Sequence, residues 1–268
     1  MARGIPYVCN PRGVFRNRNT TPLVGDHAII SVTDETKKVG TLHTIKSRKN
    51  ELRRPPIANI DQVIITVAAA QPAFNAGLLD RFLVLVASED IPILICVNKS
   101  DLIKDDDCFT PYIAAGYNIV YTSTIDDFGL DRLRAEMAGK TNVFAGPSGV
   151  GKSSLINALS PTLQLETGTL STKLDRGKHT TRHSEIFALS QHPADGFCVD
   201  TPGFSSLDID SIAKNELAAL FMEFEQFLGN CKFSNCLHFR EKDCAIKEQV
   251  GHKIHPARYD SYVKLLGI

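Results

Sequence analysis

Hydrophobic and polar positions divide the chain into three zones with different periods. Over residues 1–57 apolar positions alternate with polar ones in short stretches: a weak one around Tyr7–Phe15, then HAIISV and VGTLHTI, separated by TTPLVGD and TDETKK. A period of two between turn-rich breaks predicts half-buried strands in a small barrel or partial sheet. RRPPIAN follows, and its two consecutive prolines predict a break in regular structure. From Asp61 to about Phe204 the apolar runs become short and nearly continuous: VIITVAAA, PILICV, NIVYTS, NVFAG, EIFAL and FCVD. Runs of this kind fit strands buried on both faces. Between them Leu78, Leu79, Phe82, Leu83, Leu85 and Val86 keep helical spacing, as do Leu130, Leu133 and Met137. This alternation predicts a three-layer α/β domain with a largely parallel sheet. From Asp208 onward NELAALFMEFEQFL reads as helical, a Cys/His-rich stretch follows, and RYDSYVKLL reads as helical again. The expected modules are 1–57, 58–207 and 208–268.

Charge alters the reading of the first zone. The whole chain has a formal net charge of zero, but residues 1–57 carry eleven Lys or Arg against Asp26, Asp34, Glu35 and Glu51. That segment is therefore +7 and the remainder −7. Both a polyanionic partner and a well-solvated surface account for such an asymmetry. No apolar run approaches the roughly 18–20 residues of a membrane helix, and MARGIPYVCN lacks the apolar core of a secretory signal. The expectation is a cytoplasmic protein with no membrane partner, and nothing in the sequence calls for more than a monomer.

The chemistry concentrates in four places. GPSGVGKS, residues 146–153, follows the apolar run NVFA and precedes SLINALS. A G-x-x-x-x-G-K-S sequence between a strand and a helix predicts a phosphate-binding loop. Gly146, Gly149 and Gly151 permit the tight turn, and the backbone of Gly146, Pro147, Ser148, Gly149, Val150, Gly151, Lys152, Ser153 and Ser154 defines the candidate cradle, its N–H groups pointing inward around phosphate oxygens. Lys152 is expected to neutralise the β- and γ-phosphates, and the Ser153 hydroxyl to hold Mg²⁺. NKSD, residues 98–101, follows PILICV and so lies at the carboxyl end of a strand. There the Asp101 carboxylate can accept from guanine N1–H and its exocyclic amine, a donor pair adenine lacks. Asn98 is expected to bridge purine and phosphate loop, and the Lys99 stem to lie along the base. Ser123 and Thr124 of YTST take the place of the loop that backs the guanine in GTPases.

DTPG, residues 200–203, ends the strand GFCV and matches D-x-x-G: Asp200 is expected on Mg²⁺ through water and the Gly203 N–H at the γ-phosphate. RGKHTTRH, residues 176–183, occupies the place of a first switch, with Thr180 or Thr181, Thr181 preferred, closing over Mg²⁺. Many GTPases put a water-orienting glutamine after the D-x-x-G glycine, but here that residue is Phe204, whose side chain cannot position water. His179 is the candidate for that task, with slow turnover expected until a partner orders its loop. Base-reading motif, backing loop, phosphate loop and switches thus come in a rotated order, a circular permutation of a GTPase.

Seven cysteines, an odd number, argue against a disulfide framework. Cys96 and Cys198 sit in apolar runs and read as small buried hydrophobes. Cys231, Cys236, His238 and Cys244 form C-x₄-C-x-H-x₅-C, three thiolates and an imidazole suited to a closed structural Zn²⁺ site. His252 and His255 are nearby alternative ligands, and three merely buried cysteines are the competing reading.

Together these motifs, with Gly25-Asp26, RKNELRRPPIANIDQ, LLDRFL and the terminal RYDSYVKLL, resemble the RsgA (YjeQ/YloQ) family of circularly permuted GTPases. The resemblance implies an N-terminal OB-fold, a central GTPase and a C-terminal zinc module. It further implies late maturation of the small ribosomal subunit and contact with its rRNA, with GTP hydrolysis to GDP stimulated by that particle. The family's proposed catalytic histidine maps to His179. An OB-fold has five strands, and the sequence shows about three before RRPP. A nucleotide-gated RNA-binding module with negligible turnover, and an ATP-using P-loop kinase, are the alternative functions; Asp101 argues against the second.

Overall fold

The computed structural model describes residues 5–11, 21–53, 55–103, 107–160, 185–189, 196–200, 209 and 211–267. The chain separates into two compact units, 1–60 and 61–268.

In the first unit β2 (Ala28–Asp34) and β3 (Val39–Ile45) form an antiparallel pair, with β1 (Val8–Pro11) parallel to β3 on its other side. Two irregularities of register, between Ile29 and Ile30 and between Val32 and Asp34, mark bulges in β2. The prolines do not abolish regular structure. β4 (Glu51–Arg53) and β5 (Pro56–Ala58) make a short antiparallel hairpin across them. Pro56 is the first residue of its strand, where a missing N–H is tolerated. Five strands are thus described here, in two sheets, where the pattern showed about three. Gly25 and Asp26 tie this unit together. The Asp26 carboxylate accepts from Leu23 N at 2.7 Å and Arg48 Nε at 2.8 Å, while the Gly25 carbonyl accepts from Asn59 Nδ2 at 2.9 Å. Gly25 has φ +89° and lies against the Ala58 carbonyl, leaving no room for a Cβ.

The second unit is built on a six-stranded sheet of order β10-β11-β9-β6-β7-β8. Its strands are β6 (Gln62–Ala68), β7 (Ile93–Asn98), β8 (Ile119–Tyr121), β9 (Thr141–Ala145), β10 (Glu185–Ala188) and β11 (Phe197–Asp200). All neighbours run parallel except the edge strand β10. Every residue of β6 is buried, as a strand in the middle of a covered parallel sheet must be. Helix α1 (Ala76–Ala87) is capped by Asn75, whose side chain accepts from Leu78 N at 3.0 Å. Helices α3 (Leu130–Met137) and α4 (Lys152–Leu159) pack Leu130, Leu133, Leu155 and Ile156 against Ile64, Cys96, Val120 and Phe144 of the strands. Helix α2 (Thr110–Ala114) is a short turn before β8.

NELAALFMEFEQFL departs from its helical reading: it forms two 3₁₀ turns, Leu217–Leu220 and Met222–Phe227, broken at Phe221. Phe221 takes an extended backbone (φ −99°, ψ 103°). Both Phe221 and Phe224 are then fully buried against Tyr262, with ring centroids 5.4 and 5.2 Å away. Aromatic burial here outweighs helix propensity. Helix α5 (Ala245–Glu248) follows, and α6 (Pro256–Leu266) forms where RYDSYVKLL predicts it.

Arg258 of α6 joins this C-terminal segment to α1. It is 2% exposed, donates from Nε to Glu223 Oε1 at 2.6 Å, and pairs through Nη1 with Asp80 of α1. The Ser261 hydroxyl donates to the other Asp80 oxygen. The guanidinium also lies over the rings of Phe221, Tyr112 and Tyr117, at 4.7, 5.1 and 5.7 Å from their centroids.

Candidate nucleotide and metal sites

The carboxyl ends of β7, β8 and β9 lie on one edge of the parallel sheet, and from that edge spring the base-reading motif, the backing loop and the phosphate loop. β9 leads through residues 146–151 into α4. Gly146 (φ +134°) rests on the Thr66 carbonyl of β6, and Gly151 (φ +97°) opens the helix against the Asn98 amide. A Cβ at either position would collide with these groups, so the glycines are steric requirements of the turn. Val150 is buried and Pro147 half-buried, while Ser148 and Gly149 face solvent. Lys152, Ser153 and Ser154 form the half-buried first turn of α4. The Lys152 ammonium folds over the loop, donating to Gly146 O and Pro147 O at 2.7 Å each.

NKSD is bonded directly to this loop. Asn98 Nδ2 donates to Val150 O at 2.9 Å, and Lys99 Nζ donates to Gly149 O at 2.8 Å and to Gln71 O. Lys99 has φ +59°, a left-handed conformation uncommon for its type, which starts the 3₁₀ turn Ser100–Leu102 and leaves Asp101 exposed within it. Ser123 is buried behind this turn. Its N–H donates to Phe128 O at 3.0 Å and its hydroxyl accepts from Ile125 N at 3.2 Å, with Thr124 half-buried beside it. The Ser123 hydroxyl also holds the Asp126 carboxyl below its ordinary range.

Two residues that the motifs do not single out take part. Thr122 Oγ1 donates to Asn98 Oδ1 at 3.2 Å, fixing which end of the amide faces the loop. Its place immediately before Ser123 was the available signal. The Gln71 carbonyl, in the segment after β6, carries no side-chain signature at all. Asp200 ends β11, with its backbone alone described; His179, Thr180, Thr181, Gly203 and Phe204 lie outside the described residues.

The second cluster brings Cys231, Cys236, His238 and Cys244 together, their ligand atoms all within 4.8 Å of one another. Cys231 Sγ lies 3.8 Å from Cys244 Sγ, and His238 Nδ1 lies 3.4 Å from each of those two sulfurs. A tetrahedron with Zn–S of about 2.3 Å and Zn–N of about 2.0–2.1 Å has edges of about 3.8 Å (S–S) and 3.5 Å (S–N). The observed separations are of that size. Burial lowers the pKa of His238 and pushes the Cys236 thiol up to about 12. A cation held among them would stabilise the thiolate forms. His255 is engaged elsewhere, capping α6 by accepting from Ala257 N at 3.2 Å. Burial works to raise the Glu241 pKa, but N–H donors outweigh it, Leu237 N and Phe239 N at 2.9 Å among them, and hold the carboxylate at about 2. The turn carrying His238 (φ +57°) is thereby fixed, and Tyr259 donates to the His238 carbonyl at 2.8 Å.

Comparison with known proteins agrees with this geometry. Residues 45–210 match the family model described as RsgA GTPase, and residues 2–40 match the RsgA N-terminal domain. The chain belongs to the RsgA GTPase family. Relatives named "Small ribosomal subunit biogenesis GTPase RsgA" include those of Alkaliphilus metalliredigens, 45% identical over 97% of this chain and 90% of its own, and Bacillus subtilis, 45% identical over 96% and 87%. Among solved structures, YloQ, described as a circularly permuted GTPase, superposes with a TM-score of 0.79 at 40% identity, covering 97% of this chain and 85% of its own. YjeQ from Thermotoga maritima superposes with a TM-score of 0.82 at 35% identity, over 97% and 88%. As an RsgA GTPase the chain is a GTP hydrolase of permuted α/β fold, and the rotated motif order read from the sequence is borne out. Among the described residues no helix is long and apolar enough to cross a membrane.

Proposed function

We propose that this chain binds GTP at the edge formed by β7, β8 and β9, and hydrolyses it in response to the small ribosomal subunit during that particle's late maturation. The observation that carries this reading is the pair of bonds from Asn98 and Lys99 to Val150 and Gly149, which tie a guanine-type motif directly to a phosphate-type loop at one edge of the sheet. In this reading the Asp101 carboxylate accepts from guanine N1–H and N2–H, while the loop N–H groups and the positive end of α4 receive the phosphates. Lys152 leaves the Gly146 and Pro147 carbonyls for the β- and γ-phosphates. Ser153, Thr181 and Asp200 would hold Mg²⁺, an ion that supplies charge neutralisation along the phosphate chain. Gly203 contributes its N–H to the γ-phosphate, and His179 orients the attacking water in place of the glutamine that Phe204 replaces.

The ribosomal assignment rests on the names of the relatives and on the first unit. That unit carries the +7 segment and exposes Val8, Ile29 and Val32 on its small sheet, a combination suited to rRNA. The modules 1–57, 58–207 and 208–268 are then RNA-binding, catalytic and metal-stabilised, in a cytoplasmic monomer. Adding purified small subunits is expected to raise GTP hydrolysis at least tenfold; equal rates with and without them would overturn this reading.

Cys231, Cys236, His238 and Cys244 fit a closed structural Zn²⁺ site, with no position left for a substrate. Metal analysis should find one zinc per chain, and Cys236→Ala should lose most of it together with part of the thermal stability of the second unit. Unchanged zinc in Cys236→Ala would remove the site.

A further inference from the structure

Cys96, read from the sequence as a small buried hydrophobe, is not only that. It lies in β7 two residues before Asn98 and is 0% exposed, with its sulfur 3.3 Å from the Thr122 hydroxyl oxygen. Thr122, also 0% exposed, donates in turn to Asn98 Oδ1 at 3.2 Å. Asn98 passes the chain on from Nδ2 to Val150 O in the phosphate loop.

The directions of these bonds follow from counting protons. The Val150 carbonyl has no proton, so it requires the amide nitrogen of Asn98; the reverse orientation would set two carbonyl oxygens face to face. Asn98 Oδ1 therefore faces Thr122 and requires a donor there. A threonine hydroxyl has one proton, and once that proton is given to Asn98 its oxygen has only lone pairs left for the sulfur. Cys96 must supply the donor S–H. Burial pushes this thiol up to about 12, so its proton stays in place at neutral pH.

We propose that Cys96 is a positioning residue for the guanine site: its S–H commits the Thr122 hydroxyl to Asn98 and so locks the Asn98 amide toward the phosphate loop. The chain Cys96 → Thr122 → Asn98 → Val150 runs in one direction, and bonds aligned in this way in a low-dielectric interior polarise and strengthen one another. Without the thiol the hydroxyl proton is free to rotate away, and the Asn98 amide loses the side-chain restraint that Thr122 gives it. A packing role makes the opposite forecast. It favours Val, which fills the space with apolar atoms, and disfavours Ser, which leaves a smaller, more polar group in the core.

This rests on Asn98 belonging to a guanine site, and the test separates the two ideas. Equilibrium binding of fluorescently labelled GDP is measured for the full chain, Cys96→Ser and Cys96→Val, with thermal unfolding recorded for each. The relay predicts that Ser, an O–H donor, stays within about twofold of the parent, while Val weakens binding about threefold to tenfold, the loss of one net hydrogen bond. Val binding as tightly as the parent, or Ser binding more weakly than Val, overturns the relay. A parent chain that does not bind GDP overturns the site reading itself, and needs no variant to do so. If Val fails to fold, the infrared S–H stretch taken as the difference between parent and Cys96→Ser gives the same decision. A band displaced to lower frequency supports the donor role, and a band at the position of an unbonded thiol overturns it.

Discussion

Arg258→Ala is expected to lower the stability of the second unit by about 3–5 kcal/mol, the usual consequence of removing one partner from a buried ion pair. The magnitude follows from what is left behind. Asp80 and Glu223 are 1% and 6% exposed, and among the described residues both take this guanidinium as their charge partner. The second Glu223 oxygen is already buried with no partner among the described residues. Burial already raises the pKa of Asp80, against the opposing charge of Arg258 and the Ser261 bond. Deleting the arginine therefore abandons two carboxylates and three aromatic faces at once. For a unit of this size each kcal/mol moves the melting temperature by about 2–4 °C, so a fall of about 6–20 °C is expected by calorimetry. Replacing the whole set, Arg258→Met with Asp80→Asn and Glu223→Gln, should recover a large part of the loss, because the penalty comes from the uncompensated charges. An Arg258→Ala protein melting within 2 °C of the parent would show that the carboxylates find water instead.

That ion cluster was not legible in the sequence, and the reason is physical. Asp80, Glu223 and Arg258 are separated by 143 and 35 positions, each in a segment whose periodicity tells only that one face is buried. Nothing local distinguishes a buried charge from a solvated one. The phosphate loop, NKSD and the cysteine–histidine cluster were legible, because their chemistry is set by residues within one turn and its flanks. Gly146 and Gly151 were legible from the motif alone, although the close approaches that require them, to the Thr66 carbonyl and the Asn98 amide, come from distant parts of the chain. The sheet was legible for a similar reason, since a strand covered on both faces must be apolar throughout, as β6 is. The failures came where tertiary packing overrode local preference. Phe221 breaks a helical pattern in order to bury its ring, and Pro56 begins a strand that the two prolines had argued against. Thr122 escaped notice, and Cys96 read only as a buried hydrophobe, because the bonds from Cys96 to Thr122 and from Thr122 to Asn98 depend on the register in which β7 and β8 pair, which the apolar pattern does not reveal.

Whether the permuted motifs rebuild one guanine site is decided by Asp101→Asn. In the proposed site the Asp101 carboxylate would give guanine two charge-assisted hydrogen bonds at about 1.5–3 kcal/mol each; asparagine would keep one neutral bond to N1–H and turn its amine against the guanine amine, so a loss of about 10²–10⁴-fold in affinity is expected. Asparagine instead presents a carbonyl and an amine, a pattern complementary to xanthine, which carries an oxygen where guanine has its amine. Lys99, Asn98 and the phosphate loop are untouched by the change, so phosphate binding is retained. The measurement is equilibrium binding of GDP and of xanthosine diphosphate to the parent chain and to Asp101→Asn. The parent is expected to prefer GDP by at least about a hundredfold, and the variant to reverse the preference. A variant that still prefers GDP, with affinity within about threefold of the parent, would contradict it.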